Sequence, residues 1–294
     1  MQRIVPNIWF DHTAAEAAEF YTSAFPDARV VESVHYPTEG LPDFQADMAG
    51  EVLTVELEIG GYRLLGINAG AEFRPNPSVS FFVNFDPSRD PDAKQHLDEV
   101  WAKLSEGGNA LMPLQTYDFS PHYGWIEDRY GVSWQLMLTN PSGEPRPFLV
   151  PCLLFTTDVQ GRAKEAIGFY TWLFEGEIGT VATYPEGAGD VAGEVMFADF
   201  ELDGQWFAAM DSAGHTFGFT PGVSLMVSCD GQAELDRLWN ELSSVPEAEQ
   251  CGWCTDKFGL SWQLVPANMA ELMSTPGAYD KLMGMKKIEI SDFG

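Results

Sequence analysis

The sequence predicts an α+β protein made of two tandem modules, each of which reads β-α-β-β-β twice over, because a final hairpin, a middle hairpin and an opening strand–helix pair each occur in both halves of the chain. The final hairpin is the clearest repeat: Tyr123–Leu136 returns as Cys251–Leu264, with eight of the fourteen positions identical. Each copy predicts two short strands around a tight bend at Gly131 or Gly259. A repeat this specific indicates a duplicated module.

The remaining elements repeat in the same order. The predicted pairs are opening strands at 5–10 and 150–155, helices at about 13–25 and 161–174, strands at about 28–36 and 179–184, hairpins from 50 and 193, strands from 79 and 223, and helices at about 92–105 and 232–243. Thr13 with Glu16 predicts an N-cap for the first helix. The Pro-rich stretch 139–147 separates the modules. The predicted domains are therefore 1–140 and 147–270, followed by a C-terminal helix and tail at 271–294.

Composition limits the classes of partner. The chain has 294 residues, of which 45% are hydrophobic, and a net charge of −28. An acidic surface disfavours nucleic acids and anionic membranes, and its simplest reading is solubility. We find neither an apolar run long enough to span a membrane nor a signal peptide, so the sequence predicts a cytoplasmic protein. The expected partner is a small molecule.

The four cysteines all lie in the second half of the chain. Cys251 and Cys254 form a C-x-x-C pattern, which is typical of a redox pair or half a zinc site. The first copy has Tyr123 and Ile126 at these positions, and residues three apart in a strand point to opposite faces. We therefore expect buried, reduced cysteines.

The order of elements resembles the vicinal oxygen chelate superfamily of glyoxalase and bleomycin-resistance proteins. The resemblance is carried by Phe-Tyr closing each first helix (Phe20-Tyr21 and Phe169-Tyr170) and by the final Asp-x-x-Gly-x-x-Trp-Gln. Within the superfamily the chain looks most like the PhnB-like branch, often labelled 3-demethylubiquinone 3-methyltransferase-like, which shares the ending Met283–Ile290. The resemblance implies open, cup-shaped mixed sheets around a ligand site. It also implies either a monomer with an internal pseudo-dimer or a homodimer.

Metal-dependent members of this superfamily place His, Glu or Gln at one position on each of four strands. The resemblance puts these positions near Pro6 or Pro151, at Glu56 or Asp199, at about Ser78 or Gly222, and at Gln135 or Gln263. Each module then offers one carboxylate, one amide and no imidazole, although divalent transition metals favour imidazole or thiolate ligands. We therefore expect neither a metal site nor another cofactor.

Paired carboxylates and repeated tryptophans are the other candidate site residues. Glu56 and Glu58, like Asp199 and Glu201, are two apart on a strand and share a face. If that face lines a cup, like charge favours protonation of one carboxyl, which would suit a general acid or base; otherwise the face is solvated. Trp125 and Trp253 either pack in the core or stack on a ligand. Trp134 and Trp262 point the other way, into the core.

Three functions remain open. The favoured one is a metal-free small-molecule-binding protein, with Glu58, Glu201, Trp125, Trp253, Gln135, Gln263 and Ser78 as candidate ligand contacts. The second is a superfamily-type isomerase, lyase or dioxygenase that uses Glu56 or Asp199 as the catalytic carboxylate. The third is a structural role with filled cups. No strand–Gly-rich-turn–helix signature for an adenosyl cofactor occurs, which disfavours a methyltransferase.

Overall fold

A computed structural model describes residues 2–294, which form two open mixed sheets with helices packed against them. The strands are β1 (Ile4–Phe10), β2 (Ala28–His35), β3 (Val52–Ile59), β4 (Tyr62–Asn68), β5 (Val79–Phe85), β6 (Asn109–Tyr117), β7 (Ser120–Glu127), β8 (Ser133–Leu138), β9 (Leu149–Phe155), β10 (Ile178–Thr183), β11 (Val195–Leu202), β12 (Gln205–Asp211), β13 (Val223–Cys229), β14 (Trp253–Thr255) and β15 (Ser261–Pro266). The helices are α1 (Ala14–Ala24), α2 (Ala93–Leu104), α3 (Ala163–Leu173), α4 (Gln232–Leu242), α5 (Met269–Met273) and α6 (Ala278–Met283). The predicted α+β class is confirmed. Within residues 2–294 no helix is long and apolar enough to cross a membrane.

Each sheet takes its strands from both modules. The seven-stranded sheet has the order β14-β15-β13-β1-β4-β3-β2, and the eight-stranded sheet β10-β11-β12-β9-β5-β8-β7-β6. The modules join where β1 runs antiparallel to β13, with Asn7 opposite Ser224, and where β5 runs antiparallel to β9, with Ser80 opposite Cys152. The first half of one module is thus completed by the second half of the other within one chain. The predicted domain limits follow the sequence repeat, and as folding units they stay a prediction.

The second module is shorter before its final hairpin. The offset between the modules falls from 144 (Val79 to Val223) to 128 (Gln135 to Gln263), so 16 residues are missing. The missing element corresponds to β6, which pairs with β7 along the edge of the eight-stranded sheet. The C-terminal tail covers the equivalent edge, because the amides of residues 251 and 252 donate to the carbonyls of residues 285 and 286.

One buried aspartate ties each final hairpin to the first helix of the same module. Asp128 accepts the backbone N–H groups of Tyr130 and Val132, the hydroxyl of Tyr21 and the indole N–H of Trp134. The same four contacts recur around the second aspartate, from Phe258, Leu260, Tyr170 and Trp262 to Asp256. Burial raises the pKa of both carboxyls, and the four donors oppose part of that rise. The repeated motif therefore serves the core, as predicted for both tryptophans.

The predicted cap of α1 is confirmed in position but not in its hydrogen bond. Thr13 stands at the N-cap position, but its side chain makes no capping hydrogen bond. Instead Asn68 Oδ1, at the end of β4, accepts the N–H of Ala14 at 2.9 Å, and Asp211 Oδ1 accepts that of Ala163 at 3.1 Å. Each cap comes from a strand distant in sequence, so the local pattern could not reveal it.

Candidate functional site

The candidate site lies on the face of the seven-stranded sheet that is turned away from α1 and α4, which we call the first cup. The corresponding face of the eight-stranded sheet is the second cup. In β1, Ile4, Ile8 and Phe10 belong to the helix-side core, so strand alternation places Asn7 in the first cup. The same alternation places five further side chains in the first cup: Glu56, Arg63, Ser224, Trp253 and Gln263.

Two amide side chains form the floor of the first cup. Asn7 is 1% exposed, and its Nδ2 donates to Gln263 Oε1 at 3.3 Å. Asn7 Oδ1 is buried and accepts no hydrogen bond from residues 2–294. Gln263 is half-buried. Its Nε2 donates to none of the described residues, so the floor retains one acceptor and one donor for a ligand.

One wall of the first cup carries alternating charges. Arg63 Nη1 lies 2.8 Å from Glu56 Oε1, and Arg63 Nε lies 3.9 Å from Glu58 Oε2. Arg29 donates Nε and Nη2 to Glu58 Oε1 at 3.0 and 2.9 Å. The two glutamates share the cup face, as the alternation predicts, and each has an arginine partner. The charge of this wall is largely compensated.

The opposite wall is aromatic. Trp253 is half-buried in the first cup, and its indole N–H donates to Ser224 Oγ at 3.3 Å. At the end of β1, Trp9 packs edge-on against Phe73 with ring centroids 5.1 Å apart. The Trp9 indole N–H donates to the carbonyl of Gly70 at 2.7 Å. An apolar ligand body would find aromatic surface here.

Helix α6 joins the two edges that bound the first cup. The edges are β14 and β2, at opposite ends of the sheet. Beside β14, the Cys251 thiol donates to the carbonyl of Leu282 at 3.4 Å. Beyond β2, the Tyr279 hydroxyl donates to Gln45 Oε1 at 2.7 Å, and its ring lies 6.4 Å from that of Tyr36.

The floor of the second cup is internally hydrogen-bonded. The Tyr123 hydroxyl donates to Gln135 Oε1 at 2.6 Å, and Gln135 Nε2 donates to Ser80 Oγ at 2.8 Å. Trp125 is half-buried and donates its indole N–H to Ser133 Oγ at 2.7 Å. Gln135 is 1% exposed. Each end of this amide therefore already has a protein partner.

The interior of the second cup is filled from the linker between the modules. Arg146 donates Nε to Asp199 Oδ2 at 3.0 Å, with Nη2 at 2.9 Å, and its guanidinium lies 3.9 Å from the centre of the Trp206 ring. Across the sheet, Phe82 meets Phe197 edge-on at 6.0 Å. A cavity of 250 Å³ remains between the linker and the ends of β5 and β8.

The structure shifts two of the four strand positions carried over from the superfamily. Pro6 shares the helix-side face with Ile4 and Ile8, so the first-strand positions are Asn7 and Cys152. Ser78 precedes β5, where its N–H donates to Asn76 Oδ1, and Gly222 lies against the backbone of residue 74. Alternation along β5 and β13 instead gives Ser80 and Ser224 as the third positions. An error of one residue places a side chain on the wrong face.

The other predicted site residues are distributed between the two cups. Glu56, Glu58, Gln263 and Trp253 lie in the first cup, and Asp199, Glu201, Gln135 and Trp125 in the second. Their roles stay predictions. Sequence reasoning missed Asn7, Arg63 and Arg146. The signal for Arg63 was its register across the Gly60-Gly61 turn, which places it opposite Glu58.

All four cysteines are free and buried, as predicted from the sequence. Burial raises the pKa of Cys152 and of Cys229 to about 12. It also raises the pKa of Cys251 and that of Cys254. Thiols with raised pKa values are poor nucleophiles and poor metal ligands, because the thiolate is the reactive form.

The residues present do not fit the superfamily's metal. In the first cup the four positions are Asn7, Glu56, Ser224 and Gln263, and the single carboxylate lies 2.8 Å from a guanidinium nitrogen that would repel a cation. In the second cup the carboxylate is likewise paired with an arginine, and the amide is hydrogen-bonded at both ends. Among residues 2–294 no group of three His, Cys, Asp or Glu side chains is placed to hold a metal.

Comparison with known proteins agrees with this architecture. Residues 2–137 and 147–265 match the family model described as 3-demethylubiquinone-9 3-methyltransferase. A putative 3-demethylubiquinone-9 3-methyltransferase, the PhnB protein of Bacillus cereus, is 32% identical and covers 47% of this chain and 100% of its own, with a TM-score of 0.41. Glyoxalase I from Zea mays is 12% identical and covers 97% of this chain and 95% of its own, with a TM-score of 0.53. None of the curated proteins matches. The fold is that of the vicinal oxygen chelate superfamily.

Proposed function

The chain belongs to the 3-demethylubiquinone-9 3-methyltransferase family, and from that premise we propose that it is a small-molecule-binding protein whose ligand occupies the first cup without a metal. The carrying observation is Asn7 Oδ1, a buried acceptor without a partner among residues 2–294. Leaving such an atom unpaired costs about 1–3 kcal/mol, so its retention favours a ligand that pairs it.

The second cup supports the proposal by contrast. Its equivalent amide, Gln135, is satisfied at both ends, and its carboxylate, Asp199, is held by Arg146. The same fold can therefore fill a cup with its own side chains. The first cup keeps free hydrogen-bonding groups beside an aromatic wall, which is the usual composition of a ligand site.

The enzymatic readings have less support. Methyl transfer from an adenosyl cofactor usually uses a Gly-rich turn in a doubly wound sheet, whereas both sheets here are open and mixed. A superfamily-type isomerase, lyase or dioxygenase would use Glu56 or Asp199 as a base or metal ligand. Each of these carboxylates has an arginine within 3 Å, which stabilises its charge and competes with both roles.

A thermal-shift screen of small neutral molecules on untagged protein tests the proposal, with calorimetric titration of each hit. We expect hits whose affinity falls at least tenfold in Gln263→Leu, is unchanged in the second-cup control Met210→Leu, and is insensitive to EDTA. The absence of any hit, or hits unaffected by Gln263→Leu, would contradict the proposal. One transition-metal ion per chain, lost in Glu56→Ala, would favour the metal-dependent enzyme.

A further inference from the structure

The two floor amides of the first cup specify more than the presence of a ligand. Asn7 presents a buried acceptor, Oδ1, and Gln263 presents a donor, Nε2, while their other ends bond to each other. If both amides were turned end for end, Asn7 would present the donor and Gln263 the acceptor. In either arrangement the floor offers one donor and one acceptor from adjoining neutral groups.

We infer, resting on the proposed function, that the ligand of the first cup is a neutral, flat molecule with an amide-type edge: an N–H and a C=O side by side, as in a lactam or imide. The N–H pairs with the acceptor of one floor amide and the C=O with the donor of the other. This pairing satisfies the buried Asn7 oxygen, which would otherwise be desolvated without compensation.

The charges around the floor exclude ionic ligands. A carboxylate or phosphate would bring its oxygens against Asn7 Oδ1 and toward Glu56, in a chain whose net charge is −28. A cation would compete with Arg63, which already neutralises Glu56 at 2.8 Å. Arg63 compensates the charge of Glu56, although Glu56 Oε1 accepts no hydrogen bond from residues 2–294. A neutral edge leaves the Glu56–Arg63 pair intact.

The surroundings of the floor suit an apolar ring. Two half-buried apolar side chains lie beside the amides. Leu65 on β4 pairs with Asn7, and Met226 on β13 pairs with Gln263. Trp253 lies opposite Gln263 on β14 and offers an aromatic surface. A ring fused to the amide edge would cover these side chains and remove apolar area from water.

Four bicyclic probes of nearly equal shape test the inference on the full chain. Isoindolin-1-one carries both N–H and C=O, N-methylisoindolin-1-one and phthalide lack the N–H, and phthalimide carries an imide edge. We expect isoindolin-1-one and phthalimide to bind by calorimetry, and the two compounds without N–H to bind at least tenfold more weakly. Benzoate should not bind.

Two variants distinguish a loss of ligand binding from a loss of stability. Asn7→Leu removes the unpaired acceptor and also the Nδ2 group that donates to Gln263 Oε1 at 3.3 Å, so its melting temperature should stay close to that of the wild type while isoindolin-1-one affinity falls at least tenfold. Cys152→Ser, at the equivalent position of the second cup, should leave that affinity unchanged.

Equal binding of isoindolin-1-one and phthalide overturns the amide-edge inference and leaves a first-cup ligand standing. The amide-edge inference alone is also overturned if the hits of the neutral screen lack an N–H group and their affinity falls in Gln263→Leu. Failure of both the probes and the screen overturns the proposed function as well.

Discussion

The two cups have the same fold and matched positions, yet only one keeps a free polar floor. At the fourth-strand position, Gln135 is 1% exposed and engaged at both ends, whereas Gln263 is half-buried and its Nε2 donates to none of residues 2–294. Because these positions come from the repeated hairpin, the difference arises around the glutamines rather than in them. The comparison shows that a ligand site in this fold can be removed by satisfying its polar groups internally.

One substitution inside the repeat accounts for much of this difference. The first copy of the hairpin has Tyr123, whose hydroxyl occupies Gln135 Oε1, and the second copy has Cys251 at the same place. The Cys251 thiol faces α6 instead and donates to the carbonyl of Leu282. The amide of Gln263 consequently has no tyrosine partner and faces the interior of the first cup.

The largest effects on stability are expected at the two equivalent buried aspartates, whose hydrogen bonds are the same in both modules. Asp128→Asn and Asp256→Asn each replace two acceptor sites with an N–H₂ group that faces an indole donor, so each should lower the free energy of unfolding by about 3 kcal/mol. Denaturant titration should give equal losses within about 1 kcal/mol. A large inequality would show that the surroundings of Asp128 and Asp256 are less alike than their hydrogen bonds indicate.

The next effect should separate the cups. Arg146→Ala leaves the buried Asp199 carboxylate without its guanidinium partner and should cost about 3 kcal/mol. Arg63→Ala leaves the more exposed Glu56 unpaired and should cost about 1 kcal/mol or less. Denaturant titration of the two variants, with Arg89→Ala as an exposed control, checks the ratio. Equal costs would mean that the second cup is as open to water as the first.

The order of the elements could be predicted from the sequence, apart from β6, to which no residues were assigned, but the pairing of the halves could not. Periodicity placed the helices within a few residues and the repeated Asp-x-x-Gly-x-x-Trp-Gln placed the final hairpins, because these signals are local. The junction of β1 with β13 joins residues about 220 apart, such as Asn7 and Ser224, and an apolar alternation reads the same whichever strand is the neighbour. The assembly of each cup from both modules therefore had to come from the structure.

Asn7, in the floor of the first cup, was missed for a related reason. Pro6 marked the approximate position, but a one-residue shift reverses the face, and Ile4, Ile8 and Phe10 already assigned the odd positions to the cup. Arg146 was beyond sequence reasoning, since it lies in an aperiodic linker whose path over the second cup depends on Asp199 and Trp206.

A smaller effect concerns access to the first cup. Tyr279→Phe removes the hydroxyl that donates to Gln45 and joins α6 to the β2–β3 connection, at a cost of about 1 kcal/mol. We expect faster amide hydrogen exchange at residues 43–48 and 278–283, and no change in the linker 139–147 over the second cup. Unchanged exchange at residues 43–48 and 278–283 would show that the α6 contact does not hold the two edges together.

The smallest effect is a pH dependence confined to the first module. A hydrogen bond to Glu51 raises the pKa of His12 above its usual 6.5. The pair therefore stabilises the fold fully below about pH 6.5 and loses that contribution as the pH rises through the higher folded pKa.

In the second module the equivalent carboxylate, Glu194, contacts Gln160, which does not titrate. The melting temperature of His12→Gln should thus lie about 1 °C or less below that of the wild type at pH 6 and match it near pH 9. Gln160→Ala should change the melting temperature equally at both pH values. A difference for His12→Gln that grows with pH would contradict the assignment, because a raised histidine pKa can only lose stabilising energy as the proton leaves.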